Sequence, residues 1–293
     1  MIPLKPRELR SRLLLSNMAS LYGPVQFPRC SVLRHLFADQ LHLGLAQAAL
    51  TALTAMLVVL FAGRRGIHLE KEVSIAMLRG IVQIVAVGSI LALLLRGPRW
   101  TSVLLLAIMI IAAGRISARR AKDVPGASTV SMWAIAFGAG TVVALMTWLG
   151  VIDTAITSLV PVGSMVIANA MTTNSLALNR FRAEVLSHTG EIESALALGA
   201  DGNASVATCV QDTFEASLIP VIDSIRSLGI VWIPGLMAGM LLSGARPLYA
   251  SIYQFVVLAM IFTASSLTSL ISTLLIRPRI FTPAQQLILQ PGR

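Results

Sequence analysis

Seven apolar runs, each close to the length of a membrane-crossing helix, dominate this sequence. A bilayer core of about 30 Å is crossed by about 20 helical residues. Inside that core each backbone N–H and C=O must be bonded within the protein, which leaves helices or closed barrels as the spanning forms. The runs at about 42–63, 73–95, 100–114, 128–149, 154–178, 218–243 and 249–276 are rich in Leu, Ala, Ile, Val and Met, and are predicted to be spans. Of the 293 residues, 56% are hydrophobic and only 12% charged, whereas soluble domains carry roughly 25% charged residues. Mean hydropathy is +0.79. The fold class expected is all-α: a polytopic integral membrane protein of about seven transmembrane helices in one domain over 42–276. A basic N-terminal extension at 1–41, read as dispensable, and a short tail at 277–293 flank it.

The two cysteines, Cys30 and Cys209, make neither a disulfide framework nor a zinc cluster. Net charge is +10, but the Arg residues fall in short clusters between apolar runs. That is the pattern of residues held at anionic headgroups rather than on nucleic acid. The basic start leads into only Leu13, Leu14 and Leu15 before Ser16, too short an apolar stretch for a secretion signal.

Basic residues near the spans set orientation. The stretches 64–72, 115–127, 179–217 and 277–293 hold twelve Lys or Arg, and the opposite loops hold three, Arg96, Arg99 and Arg246. The first group is therefore expected in the cytoplasm, which puts the N-terminus outside and the C-terminus inside. The extension, with Lys5, Arg7, Arg10, Arg12, Arg29 and Arg34, runs against that count.

The one long polar stretch between spans is 179–217. Within it, Glu193-Ser194-Ala195 is followed by Gly199-Ala200 and then by Leu218-Ile219-Pro220. This order resembles the EAA loop of ATP-binding-cassette permeases, with Ser194 in place of the first Ala. The resemblance implies a cytoplasmic coupling helix between spans five and six, carried by Glu193, Ala195, Gly199, Ala200 and Pro220. Further motifs are Arg79-Gly80-Ile81-Val82-Gln83, Pro161-Val162-Gly163-Ser164-Met165 with Asn169, and Pro234-Gly235-Leu236-Met237-Ala238-Gly239. Together they resemble the FetB-type permease family of bacteria, which includes the plant aluminium-tolerance permeases. The likeness runs from about Leu43 to Leu275. It implies a permease of the bacterial inner membrane, dimeric, paired with two copies of a separate ATPase, and moving iron outward in bacterial members.

No Gly-rich loop ends in Lys and Ser or Thr; Lys5, Lys71 and Lys122 stand in other contexts. This chain is thus expected to bind no cofactor, to be no enzyme, and to draw on ATP-Mg held by its partner. Ionisable residues in spans are costly and face a pathway or a partner. Arg79 and Gln83 share one helix face, Met165 and Asn169 another, and Asp223 and Arg226 a third. These are the candidate pathway residues; the metal ligands stay unknown, because His35, His42, His68 and His188 have no metal-site spacing. An ion-gradient-driven secondary transporter or channel is the alternative reading, since Pro161 and Pro234 interrupt spans.

Overall fold

The computed structural model describes residues 40–64, 70–94, 100–121, 124–282 and 284–289. The basic extension up to residue 39 lies outside the described residues, as do Arg65, Arg96, Arg99, Lys122 and Arg293. Among the described residues helices dominate, and the only β structure is two isolated bridges.

The chain separates into two compact units, one ending at Gly88 and the other beginning at Ser89. In the first, α1 (Gln40–Gly63) and most of α2 (Glu70–Leu94) carry the first two apolar runs. The Ser74 hydroxyl donates to the Met56 sulfur at 3.7 Å and ties the two helices.

The second unit contains α3 (Trp100–Arg120), α4 (Ala127–Trp148), α5 (Ile156–Ser187) and a long late helix, α10 (Pro247–Ile276). Among the described residues these are the four helices long and apolar enough to cross a membrane. Two results differ from the hydropathy reading. The third run was expected to end at 114, but α3 continues to Arg120, and α5 continues nine residues past 178 to Ser187. Hydropathy marks where a chain leaves the bilayer, not where its helix ends. At 32 residues, α5 is about 48 Å long, so it extends well beyond the bilayer core.

The sixth run also differs. A single span over 218–243 was expected, interrupted at Pro234-Gly235. Instead α8 (Ala207–Ser227) stops earlier, residues 228–234 are unwound, and the eight-residue α9 (Gly235–Leu242) follows. Pro234 has no N–H and restricts its predecessor to extended backbone. The turn is closed by Ser227, whose carbonyl accepts from the N–H groups of Ile230, Val231 and Trp232.

Helices within lipid gain little from apolar burial against one another and pack through small residues instead. The α4–α10 crossing shows this most sharply. A Cβ placed on Gly138 would stand 2.8 Å from the backbone Cα and N of Thr268. The apolar core beside it includes Ile135, Ala139, Val162, Val166, Ala170, Val257, Ile261 and Ala264. Polar links run through the same bundle: the Asn174 amide donates to Ser117 Oγ at 2.7 Å and to Ser131 Oγ at 2.9 Å, joining α3, α4 and α5. Ser217 and Ser269 share a 2.7 Å bond between α8 and α10.

A second apolar core caps one end. It gathers Ala121, Val124 and Val130 from the α3–α4 corner, Phe181 and Val185 from α5, and Ile192, Val206 and Cys209 from the polar stretch. Ile276, Ile280, Leu287 and Leu289 close it. The 115–127 corner, the 179–217 stretch and the C-terminal segment therefore meet at one end of the bundle.

Because Gly138 meets backbone, its substitution is expected to cost more than a neighbouring one. Gly138→Ala should lower stability by about 1–3 kcal/mol. Gly140→Ala, which meets only Ile110 Cδ1 at 3.7 Å, should be near neutral. Thermal unfolding of purified protein in detergent, followed by size-exclusion fluorescence, compares the two.

Candidate coupling surface and charged face

The polar stretch folds into two short helices joined by a turn. The first is α6 (Thr189–Ala197), pinned by buried Ile192, with Glu193 and Ser194 exposed. It ends in a Schellman motif: the Ala200 N–H reaches back to the Ala195 carbonyl, and the Gly199 N–H to that of Leu196. Gly199 closes it at φ +89°, a left-handed conformation costing a residue with a Cβ about 1–2 kcal/mol. Ala195, Gly199 and Ala200 thus share one turn, and Leu198 projects from it at 89% exposure.

The second helix, α7 (Gly202–Ser205), is fastened from behind. Asp201 caps it by accepting from the Asn203 N–H at 3.3 Å. From the C-terminal segment, Arg277 donates to the Asn203 carbonyl at 2.8 Å, and Gln285 accepts from the Gly202 N–H at 3.1 Å. Arg277 and Gln285 therefore supply part of the support for this turn. The cap core behind the turn also holds residues of α5, α8 and α10.

Pro220 lies elsewhere. It is an exposed residue inside α8, 13 positions after Ala207, about 20 Å along the helix. The same helix helps form a cleft of about 830 Å³ lined by Arg180, Glu184, Asp212, Glu215, Asp223 and Arg226, with Leu218, Ile219 and Ile222 between the charges. Asp223 and Arg226 approach to 3.9 Å but are 62% and 77% exposed, so the pair contributes little. Glu184 is nearly buried: Arg180 Nη2 is 2.6 Å from its Oε1, and His188 Nδ1 is 3.6 Å from its Oε2. Sequence reasoning passed over Glu184; the Arg180-Glu184-His188 spacing of one turn each was the available signal.

Of the other candidates, Met165 and Asn169 are half-buried on α5, where the Asn169 amide donates to the Met165 carbonyl at 2.9 Å. That bond occupies the amide within its own helix. Arg79 and Gln83 are exposed one turn apart on α2, within the first unit. No group of three or more His, Cys, Asp or Glu side chains is placed to hold a metal ion among the described residues.

The protein family described as "Uncharacterised protein family (UPF0014)" matches residues 45–281. This chain belongs to that family. Among its relatives, the rice "UPF0014 membrane protein STAR2" (Oryza sativa subsp. japonica) is 35% identical over 245 residues, covering 83% of this chain and 85% of its own. The Arabidopsis thaliana "Protein ALUMINUM SENSITIVE 3" is 30% identical, covering 83% and 90%. The Escherichia coli K12 "Probable iron export permease protein FetB" is 29% identical, covering 82% and 93%. The motif likeness drawn from the sequence is therefore the family's own. No solved structure matches the chain.

Cys209, on the first turn of α8, reports on the cap. Burial pushes its thiol above the ordinary range, and the Glu184 and Asp212 carboxylates add to the shift. A raised folded value favours the neutral thiol. That contribution to stability is present below the unfolded value of about 8.5 and is lost as pH rises through the folded value. In a Cys30→Ser variant, Cys209 should resist alkylation by iodoacetamide at pH 8 while folded and react promptly in dodecyl sulfate.

Proposed function

We propose that this protein is the membrane-spanning permease subunit of an ATP-binding-cassette transporter, exporting a metal ion across the cytoplasmic (bacterial inner) membrane. The observation that carries this reading is the Gly199 turn: a rigid helix–turn–helix knob, exposed at its tip and buttressed by the spans behind it. Such a knob turns the motion of a soluble motor into a movement of helices. The twelve-to-three bias of basic residues puts that end in the cytoplasm, where an ATPase is found, with the C-terminus on the same side and the N-terminus outside. ATP-Mg is held by the ATPase, of which two copies serve two copies of this chain.

Metal export rests on the likeness to the relative named a probable iron export permease. The pathway residues offered are Asp223 and Arg226 in the cleft, with Met165, Asn169, Arg79 and Gln83 as further positions to examine. Oxygen donors, rather than imidazole or thiolate, suit a hard or borderline cation.

The test is capture of the chain from membranes in mild detergent, followed by ATP turnover and by uptake of Fe²⁺ into inside-out vesicles. The native protein should bring down an ATPase and drive uptake. Gly199→Val should still insert but lose coupled uptake by about tenfold or more, because a β-branched residue holds the left-handed turn only at a strain of about 1–2 kcal/mol. Full uptake by the native chain with no ATPase present would overturn the reading.

A further inference from the structure

At the end of the bundle opposite the cap, the α4–α5 connection, α9 and α10 enclose a cleft of about 670 Å³. That volume is in the range of small-molecule sites, which run from about 300 to 1,000 Å³. The connection shapes one side. Gly150, at φ +74°, turns the chain out of α4, and Ile152, only 1% exposed, pins the turn to the apolar core. Asp153 follows and is exposed, its Oδ1 accepting from the Ala155 N–H at 3.3 Å. That bond holds the carboxylate at the start of α5, and Asp153 has no ion-pair partner among the described residues.

The lining from α10 is aromatic. Tyr249 and Tyr253 stand one turn apart and stack, with ring centroids 6.2 Å apart and planes 26° apart. Tyr253 is held by the core behind it, whereas Tyr249 is exposed. Leu236 and Met240 of α9 add apolar surface, and Thr157 and Ser158 bring hydroxyls from the first turn of α5. The lining carries one carboxylate and no Lys, Arg or His; Arg246, which precedes α10, is not part of it. A cleft whose charge is of one sign concentrates the opposite one, so this space favours cations.

We propose that this cleft binds an organic cation of the alkylammonium class, held by the Asp153 carboxylate and the Tyr249–Tyr253 pair. A bare divalent ion suits the lining poorly. Such ions take about six or more oxygen ligands in a tight shell, whereas the cleft offers one carboxylate in a space many times the size of an ion. An alkylammonium uses every part of the lining. Its charge is met by Asp153, and the electron-rich faces of tyrosine rings attract a cation lying within about 6 Å of the ring centre. Its apolar substituents lie against Leu236, Met240 and the same rings. Under the proposed orientation the cleft opens on the outer side of the membrane. It is separate from the coupling turn and from the metal route, and binding there depends on neither.

The test is equilibrium dialysis of radiolabelled choline against the purified full-length chain in detergent, which needs no ATPase and no transport. Choline should bind saturably. Dimethylbutanol, the isostere in which carbon replaces the ammonium nitrogen, should compete at least about tenfold less well than unlabelled choline. Asp153→Asn and Tyr253→Leu should each weaken choline by about fivefold or more, while Tyr253→Phe, which keeps the ring, should stay within about twofold. No saturable binding, equal competition by the isostere, or native affinity in both Asp153→Asn and Tyr253→Leu would overturn the proposal. Displacement of choline by an equal concentration of Mg²⁺ would mark a plain metal site and overturn it as well. Should Tyr253→Leu fail to accumulate, Asp153→Asn, which alters an exposed side chain, and the isostere, which needs no variant, decide.

Discussion

A lipid environment offers no hydrogen bonds, and that constraint governs every part of this molecule. It imposes helices on the apolar runs, because only a helix bonds its own backbone completely. It also removes the hydrophobic drive for helices to associate, so the bundle relies on close approach and on polar links. Gly138 lets α4 and α10 touch at the backbone. The Asn174 amide, reaching Ser117 and Ser131, ties three helices where no water competes. Such bonds average about 0.6 kcal/mol in membranes; their main effect here is to fix which faces meet.

Outside the lipid the economy reverses. The cap is built as a small soluble core, with Phe181, Ile192, Val206, Ile276 and Ile280 buried and polar groups turned outward. Because α5, α8 and α10 enter both the bundle and the cap, the cap is mechanically continuous with the spans. The Gly199 turn sits on its outer surface. A ligand that shifts a two-state equilibrium must bind the two states differently, and under the proposed function the Gly199 turn is the feature by which an ATPase would do so.

Much of this was legible in the sequence, and the failures have physical causes. Hydropathy located α4 and α10 to within about two residues, since both lie almost wholly in apolar surroundings. It cut α3 and α5 short, because Arg115 and Arg180 leave the bilayer without leaving the helix. The sixth run was expected to break at Pro234-Gly235, whereas the backbone unwinds earlier, after Ser227, where Gly229 takes a left-handed turn. The turn at Gly199 was readable because a Schellman motif is local. Its support by Arg277 and Gln285 was not, since those contacts join residues more than seventy positions apart. Asn174 lies inside its predicted span, but Ser117 and Ser131 look like ordinary small residues until three helices are brought together.

The central claim is that the Gly199 turn is where an ATPase meets this permease. The most direct measurement places a photo-activated cross-linker at Leu198 in the otherwise native chain and irradiates intact cells. A single adduct with a soluble subunit bearing a phosphate-binding loop is the result this account requires. An adduct with lipid, or none at Leu198 while the same cross-linker at Ile230 captures the ATPase, would contradict it.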